Sequence, residues 1–306
     1  MRHLTSLFDL SSQEVQEILD LANKLKAETK SGTRNPYCAG RVVTQVFEKP
    51  SLRTRVSFEA GISQLGGTSI FLSAKDAGLH GRETLEDISK VLGGYSDIII
   101  LRTFSQKLIE TVAEHSGSSV INALSDDYHP CQALTDVMTI NEHLGTAKGK
   151  KIVYVGDGNN VAKSLALAAG HVGADITIAA PEGYWLQDEF VQQATTEFSS
   201  LKLNQTNDPH AAVQGADVIY TDVWASMGQE DEKEKRAAEF AEFQVNTELL
   251  DAAGKDVFFL HCLPARRGLE VTDEAMNDPR SIVFDQAENR MHLAKGLMLW
   301  LIRQNS

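Results

Sequence analysis

The residue pattern predicts an α/β protein of two domains, each a parallel β-sheet flanked by helices, joined by two long interdomain helices. Three observations lead there. The chain has 306 residues, and a domain commonly takes roughly 100–200. Short apolar runs alternate with stretches of helical periodicity, the rhythm of βαβ units whose parallel strands are covered on both faces. Residues with chemical character fall just after the apolar runs, at the strand ends where open parallel sheets bind ligands.

The elements follow in order. Ser11 with Glu14 reads as a capping box, and Val15, Ile18, Leu19, Ala22 and Leu25 continue it at helical spacing. A strand, Val42 to Phe47, turns at Pro50 into a helix with Phe58, Ile62 and Leu65 on one face, ended by Gly66-Gly67. Strands at Ser69–Leu72, Ile98–Leu101 and Val120–Asn122 complete the first unit. A long helix runs from about Gln132 to Leu144 and stops at Gly145. Lys151–Val155 opens the second unit, with further strands expected at Ile176–Ala179, Val218–Thr221, Val257–Leu260 and Ile282–Phe284. A closing helix is expected over Ala294–Ile302. The expected domains are 1–145, with 287–306 packing back on it, and 146–286. The charged run Gln229 to Arg236 reads as a solvated helix face or loop.

Hydrophobic residues make up 42% and charged residues 23%, enough for a real core. A formal net charge of −13 argues against nucleic acid as a partner, since phosphate-backbone binding needs a basic surface. A few arginines could still form a local anion pocket. No apolar run approaches the roughly 20 residues of a membrane span, so no membrane partner is expected. The N-terminal stretch has no signal-peptide core. Three cysteines, Cys38, Cys131 and Cys262, with no C-x-x-C pair, suit a reducing compartment, with the cytosol the simplest address.

Five segments carry chemistry. Ser51-Leu52-Arg53-Thr54-Arg55 stands after a strand at a helix start, where N–H groups and the helix dipole already favour an anion. Two arginines there oppose the dipole unless an anion joins them or they reach acids elsewhere. His129-Pro130-Cys131-Gln132 also joins a strand to a helix. Pro130 suits the first turn, while His129 and Gln132 could hold a carbonyl oxygen and an amide or serve only as cap and packing. In Asp222-Val223-Trp224-Ala225-Ser226-Met227-Gly228, Asp222 could hold an ammonium and Ser226 the polar main chain of an amino acid. His261-Cys262-Leu263-Pro264 follows an apolar strand; a buried cysteine there is commonly inert core. Gly156-Asp157-Gly158-Asn159-Asn160 invites a dinucleotide reading, but Val161 occupies the third small position and leaves the fingerprint incomplete. Glu182 stands near where a ribose-binding acid would fall. Asn160 could equally bind a substrate carboxylate or amine. A zinc site from His129, Cys131, His261 and Cys262 lacks paired ligand spacing, so neither metal nor cofactor is expected.

Taken in order, these segments resemble the aspartate/ornithine carbamoyltransferase family. The family's Ser-Thr-Arg-Thr-Arg motif reads Ser51-Leu52-Arg53-Thr54-Arg55 here. The ornithine branch's His-Pro-Cys-Gln, Asp-x-x-x-Ser-Met-Gly and His-Cys-Leu-Pro are intact, and Glu288-Asn289-Arg290 also matches. The resemblance implies transfer of a carbamoyl group from carbamoyl phosphate to the δ-amine of L-ornithine, in a homotrimer or a multiple of it, with the phosphate site at the domain junction. It assigns Ser51, Leu52 (through its backbone N–H), Arg53, Thr54, Arg55 and Arg102 to the phosphate. His129, Gln132, Cys262, Leu263 and Arg290 would cradle the carbamoyl group, and Asn160, Asp222, Ser226 and Met227 would hold ornithine. Arg102, His129, Asp222 and Cys262 are the expected catalytic set. Leu52 replaces the usual threonine and loses a hydroxyl. Relatives also bring a glutamine or histidine from a neighbouring subunit's loop; Gly78 stands at that position here, with His80 the nearest substitute. Competing readings are a carbamoyltransferase for aspartate, N-acylated ornithine or putrescine, an NAD-dependent oxidoreductase, and a non-catalytic carbamoyl-phosphate-binding protein.

Overall fold

The computed structural model describes residues 1–81, 83–225 and 230–305. Two compact units form, Met1–Met138 with Glu288–Ser306, and Thr139–Ala287. In the first, β1 (Val42–Phe47), β2 (Thr68–Ser73), β3 (Ile98–Arg102) and β4 (Ser119–Leu124) make a parallel sheet in the order β2-β1-β3-β4. In the second, β5 (Lys151–Val155), β6 (Asp175–Ala179), β7 (Leu203–Thr206), β8 (Val218–Thr221) and β9 (Phe258–His261) run parallel in the order β7-β6-β5-β8-β9. The central strands β3 and β5 are almost wholly buried, as their unbroken apolar runs require.

Helices enter where capping chemistry allows. The Ser11–Glu14 box starts α1 (Ser12–Lys30), with Ser11 N–H donating to Glu14 at 2.8 Å and Glu14 N–H to Ser11 Oγ at 3.2 Å. Ser51 caps α2 (Leu52–Gln64) by accepting the Thr54 N–H at 3.3 Å. Thr84 and Ser105 likewise cap α3 (Leu85–Tyr95) and α4 (Gln106–His115). Pro130 is the first residue of α5 (Pro130–Leu144), so that helix begins two residues before Gln132. Asn159 caps α6 (Asn160–Val172). Smaller helices follow: α7 (Asp188–Glu197), α8 (Pro209–Ala212), α9 (Lys233–Glu239), α10 (Thr247–Ala253) and α11 (Asp273–Met276). The final α12 covers Val283–Gln304. The chain crosses between units within α5 and again within α12.

The elements depart from expectation in three places. Ile282–Phe284 is not a strand: Ser281 makes one bridge to Phe259, Val283 already begins α12, and Phe284 is exposed. An apolar triplet is too short for periodicity to separate strand from helix start. The edge strand β7 has a polar sequence, Leu-Asn-Gln-Thr, and gave no apolar signal. The closing helix is also much longer than its apolar stretch, because its first turns carry polar residues that are buried, Gln286, Asn289 and Arg290 among them.

In the first unit α12 packs closely on α1 and α2. A Cβ on Gly296 would lie 2.7 Å from Ala22 N, and one on Gly61 would lie 3.3 Å from Lys295 Cγ. Buried Lys295 donates to Thr29 at 2.6 Å and Gln64 at 3.0 Å, and Lys26 donates to Asn289 at 2.7 Å. The apolar cores are Val46, Ile99, Leu101 and Val120 with their neighbours in the first unit, and Val153, Ile219, Phe240 and Phe259 with theirs in the second.

Candidate active site

Strand order fixes where ligands can bind. In the first sheet the chain winds one way from β1 to β2 and the other way to β3 and β4, so the switch point lies between β1 and β3. In the second it lies between β5 and β8. Crevices open at the carboxyl ends of strands at such points. Phe47 and Arg102, the last residues of β1 and β3, are register partners. Val155 pairs with Thr221, and Thr221 with His261, so Gly156, Asp222 and Cys262 are each the next residue at one sheet edge.

At the first edge, buried Arg102 approaches Thr54 Oγ1 at 3.5 Å, and Thr54 Oγ1 accepts from Ser51 at 3.0 Å. Burial, reinforced by the charges of Arg290, Arg102 and Arg53, pushes the His129 imidazole well below its usual range. It is therefore neutral near pH 7, with one N–H to donate and one lone pair. Buried Arg290 donates through Nη1 to Gln132 Oε1, and Gln132 Nε2 donates to Asp136 at 2.8 Å, so this amide is fixed in orientation from both ends. The result is a neutral imidazole amid guanidinium groups, a setting that suits a phosphate and a polarised carbonyl.

Two residues expected at this edge, Arg55 and His80, bond acids of their own chain, and the side chain of Leu52, expected to act only through its N–H, faces outward. Arg55 is exposed, bonds Glu59 at 2.9 Å and lies 3.7 Å from the Phe71 ring centroid. This is the alternative of an arginine paired with a local acid. Leu52 is 75% exposed, so its side chain contributes nothing buried. His80 bonds Glu48 of its own chain at 2.6 Å, and Glu48 also accepts the Phe104 N–H at 2.7 Å.

At the second edge, the Cys262 thiol donates to Asp222 Oδ1 at 3.0 Å, and Asn159 Nδ2 donates to Asp222 Oδ2 at 3.3 Å. Leu263, at φ 59°, donates its N–H to His261 Nδ1 at 2.9 Å. The left-handed backbone of a branched residue costs about 1–3 kcal/mol and must be held by its surroundings. His261 Nε2 faces Glu270 at 3.3 Å. Ser226 and Met227 lie outside the described residues.

Asn159, the neighbour of the expected Asn160, is a further residue of this edge through its bond to Asp222. Its Oδ1 accepts from Val161 N at 2.9 Å, Ala162 N at 3.2 Å and the Tyr154 hydroxyl at 3.3 Å. Burial, with the nearby Asp222, Cys262 and Asp157 charges, drives the Tyr154 phenol well above its usual range, so it remains a donor. The preference for asparagine at an N-cap was the sequence signal that could have singled out Asn159. Tyr154 and Glu270 gave no signal beyond apolar strand and ordinary acid.

The same cap bears on the dinucleotide reading. A pyrophosphate would need the first N–H groups of α6, and Asn159 already occupies two of them. Glu182 is exposed. Among the described residues one metal-like group occurs, Asp222, His261 and Cys262, with ligand atoms within 4.8 Å of one another. It fits a metal poorly, because one nitrogen of His261 accepts the Leu263 N–H and the other must then carry its proton toward Glu270.

The first unit thus sets guanidinium groups about a neutral imidazole at its strand edge, and the second sets a thiol on a carboxylate, in an α/β protein of two parallel sheets. Models described as "Aspartate/ornithine carbamoyltransferase, carbamoyl-P binding domain" and "Aspartate/ornithine carbamoyltransferase, Asp/Orn binding domain" match residues 2–142 and 148–301. The chain belongs to the aspartate/ornithine carbamoyltransferase family. It is 49% identical to an ornithine carbamoyltransferase of Caldicellulosiruptor saccharolyticus over 98% of each chain. It is 48% identical to the Bacillus subtilis one, covering 97% of this chain and 92% of that protein. The solved ornithine carbamoyltransferase of Pyrococcus furiosus is 47% identical with a TM-score of 0.94, covering 97% of this chain and 96% of that one. Among the described residues no helix is long and apolar enough to cross a membrane.

Proposed function

We infer that this chain transfers the carbamoyl group of carbamoyl phosphate to the δ-amine of L-ornithine, giving L-citrulline and phosphate. The observation that carries the reading is the amine-side pair, Asp222 and Cys262 at 3.0 Å, on a chain whose full length follows ornithine carbamoyltransferases. An aspartate enzyme would need groups for a second carboxylate where this chain offers an anion and a thiol.

In this reading the carbamoyl-phosphate domain is the first unit and the ornithine domain the second. Ser51, the Leu52 N–H, Arg53, Thr54, Arg55 and Arg102 bind phosphate. Arg55 must leave Glu59 to do so. His129 and Arg102 donate to the carbamoyl oxygen, Gln132, Cys262, Leu263 and Arg290 complete the cradle, and Asn160, Asp222, Ser226 and Met227 hold ornithine. The free δ-amine has a pKa near lysine's, about 10.4, and only its neutral form attacks. A C–N bond forms at the carbamoyl carbon, the bond from that carbon to the phosphate oxygen breaks, and the departing phosphate takes the amine proton. Neutral His129 and cationic Arg102 stabilise the oxyanion between those events; positioning provides much of the rest.

The decisive test sets ornithine, aspartate, N-acetylornithine, N-succinylornithine and putrescine side by side as acceptors. Citrulline formation at a kcat/KM far above every other product is expected; equal or faster carbamoylation of another amine would overturn the reading. A structure with a bisubstrate analogue joining a phosphonate to ornithine would test the residue roles. We further propose a cytoplasmic enzyme of arginine metabolism, biosynthesis included, acting as a homotrimer or a multiple of it. Exposed apolar Leu52 and Val56 on one face of α2, and Ile70 on the edge strand β2, support a subunit contact there.

A further inference from the structure

Arg236 stands in the charged run expected to be solvated, yet it is buried. Its Nη1 donates both to Asp157 at 2.8 Å and to the Trp224 carbonyl at 2.9 Å, and its Nε donates to Glu232 at 2.8 Å. The guanidinium also lies 4.9 Å from the centroid of the Tyr184 ring. Trp224 is two residues after Asp222, and Asp157 is two before Asn159, the residue that bonds Asp222. One guanidinium thus joins both chain segments that support Asp222. It also supplies the counter-charge for Asp157, a largely buried carboxylate close enough to Asp222 to feel its charge.

We propose that Arg236 is a positioning residue for the amine side of the site, holding the Asp222–Trp224 segment against the Asp157–Asn159 turn so that Asp222 meets the acceptor amine in one geometry. The proposal rests on the ornithine reading above. Removing one member of a buried, hydrogen-bonded pair leaves the other charge uncompensated. Without Arg236, Asp157 would then either take up a proton or draw water into the turn. In both cases the Asn159–Asp222 contact loses its support. The proposed phosphate ligands, Ser51 to Arg55 and Arg102, stand in the first unit, and of the carbamoyl cradle Cys262 bonds Asp222 itself, so carbamoyl-phosphate binding should change far less than ornithine binding.

The test is steady-state kinetics of the full-length enzyme and of Arg236→Met, Arg236→Lys and Asp157→Asn, with thermal unfolding measured in parallel. Arg236→Met should raise KM for ornithine by on the order of tenfold or more, with KM for carbamoyl phosphate changed by less than about threefold. Arg236→Lys, which keeps the charge but not the fork, should recover part of the loss. Asp157→Asn should shift ornithine KM in the same direction while keeping the turn's shape, which covers the case in which Arg236→Met fails to fold. Equal rises in both KM values, or no change in either for Arg236→Lys and Asp157→Asn, would overturn the proposal. If the unaltered enzyme failed to carbamoylate ornithine, the functional reading would fail instead.

Discussion

Arg102 ends β3 buried at the switch point, within 3.5 Å of Thr54, where a leaving phosphate and a developing oxyanion would both need its charge. Arg102→Ala should lower turnover by on the order of a hundredfold or more, as loss of an oxyanion donor does. Citrulline formation at saturating substrates measures it, and near-normal turnover would refute the role. Activity should rise between pH 6 and pH 8 as the ornithine amine loses its proton. The buried, neutral His129 contributes no step of its own in that window, because its imidazole titrates well below the usual range. A flat profile at saturating carbamoyl phosphate would exclude rate-limiting attack by the neutral amine. At this scale the residue types were legible and their partners were not. Arg53, Arg55 and Arg102 look alike in the sequence, yet Arg102 is buried beside Thr54 and Arg55 is exposed on Glu59. Asn159 and Asn160 are adjacent and alike in the sequence, and only the folded chain shows Asn159 both capping α6 and bonding Asp222.

Elements turn these residues into a site through capping and close helix packing. Gly296 lets α12 approach α1 until no Cβ fits. Gly296→Ala should therefore destabilise the protein by about 1–3 kcal/mol, the usual cost of overpacking, read as a lower urea midpoint. Turnover at a temperature well below unfolding should change much less. His292 lies on the same helix, held down to about 4 by burial and by Lys295, against the pull of Glu288. Its folded value is depressed, so between pH 6.5 and about 4 the unfolded chain binds a proton that the folded chain refuses. Stability should thus fall as pH drops through that window, by on the order of 2 kcal/mol from this group. His292→Gln should flatten that limb of a urea-midpoint-against-pH plot, and an unchanged slope would locate the acid sensitivity elsewhere. Lys295, lowered to about 8 by burial, acts in the same sense higher up, with stability gained as pH rises from 8 toward 10.5.

The whole molecule carries a net charge of −13, yet it gathers arginines around His129. Guanidinium groups gathered locally on an acidic chain favour a small phosphate, while the overall charge discourages polyanions. The exposed apolar residues on α2 and β2 lead to a prediction at this scale. Light scattering should give the mass of three chains or a multiple of it, and Val56→Glu with Ile70→Glu should reduce that mass. A wild-type monomer would end the trimer reading.

The sequence by itself determined the two parallel α/β units, nearly every strand, the helix starts marked by Ser11, Ser51 and Pro130, and the residue types of the site. These are encoded locally, in apolar runs of strand length, caps and prolines whose effect reaches only a few residues. Tertiary structure alone decided the strand orders, and with them that Asp222, Cys262 and Asn159 share one edge. It also decided that Arg236 is buried while Arg55 is not, and that Ile282–Phe284 leads into a helix. The physical reason is that a side chain's burial and its hydrogen-bond partners depend on segments tens of residues away, so no window along the chain contains them.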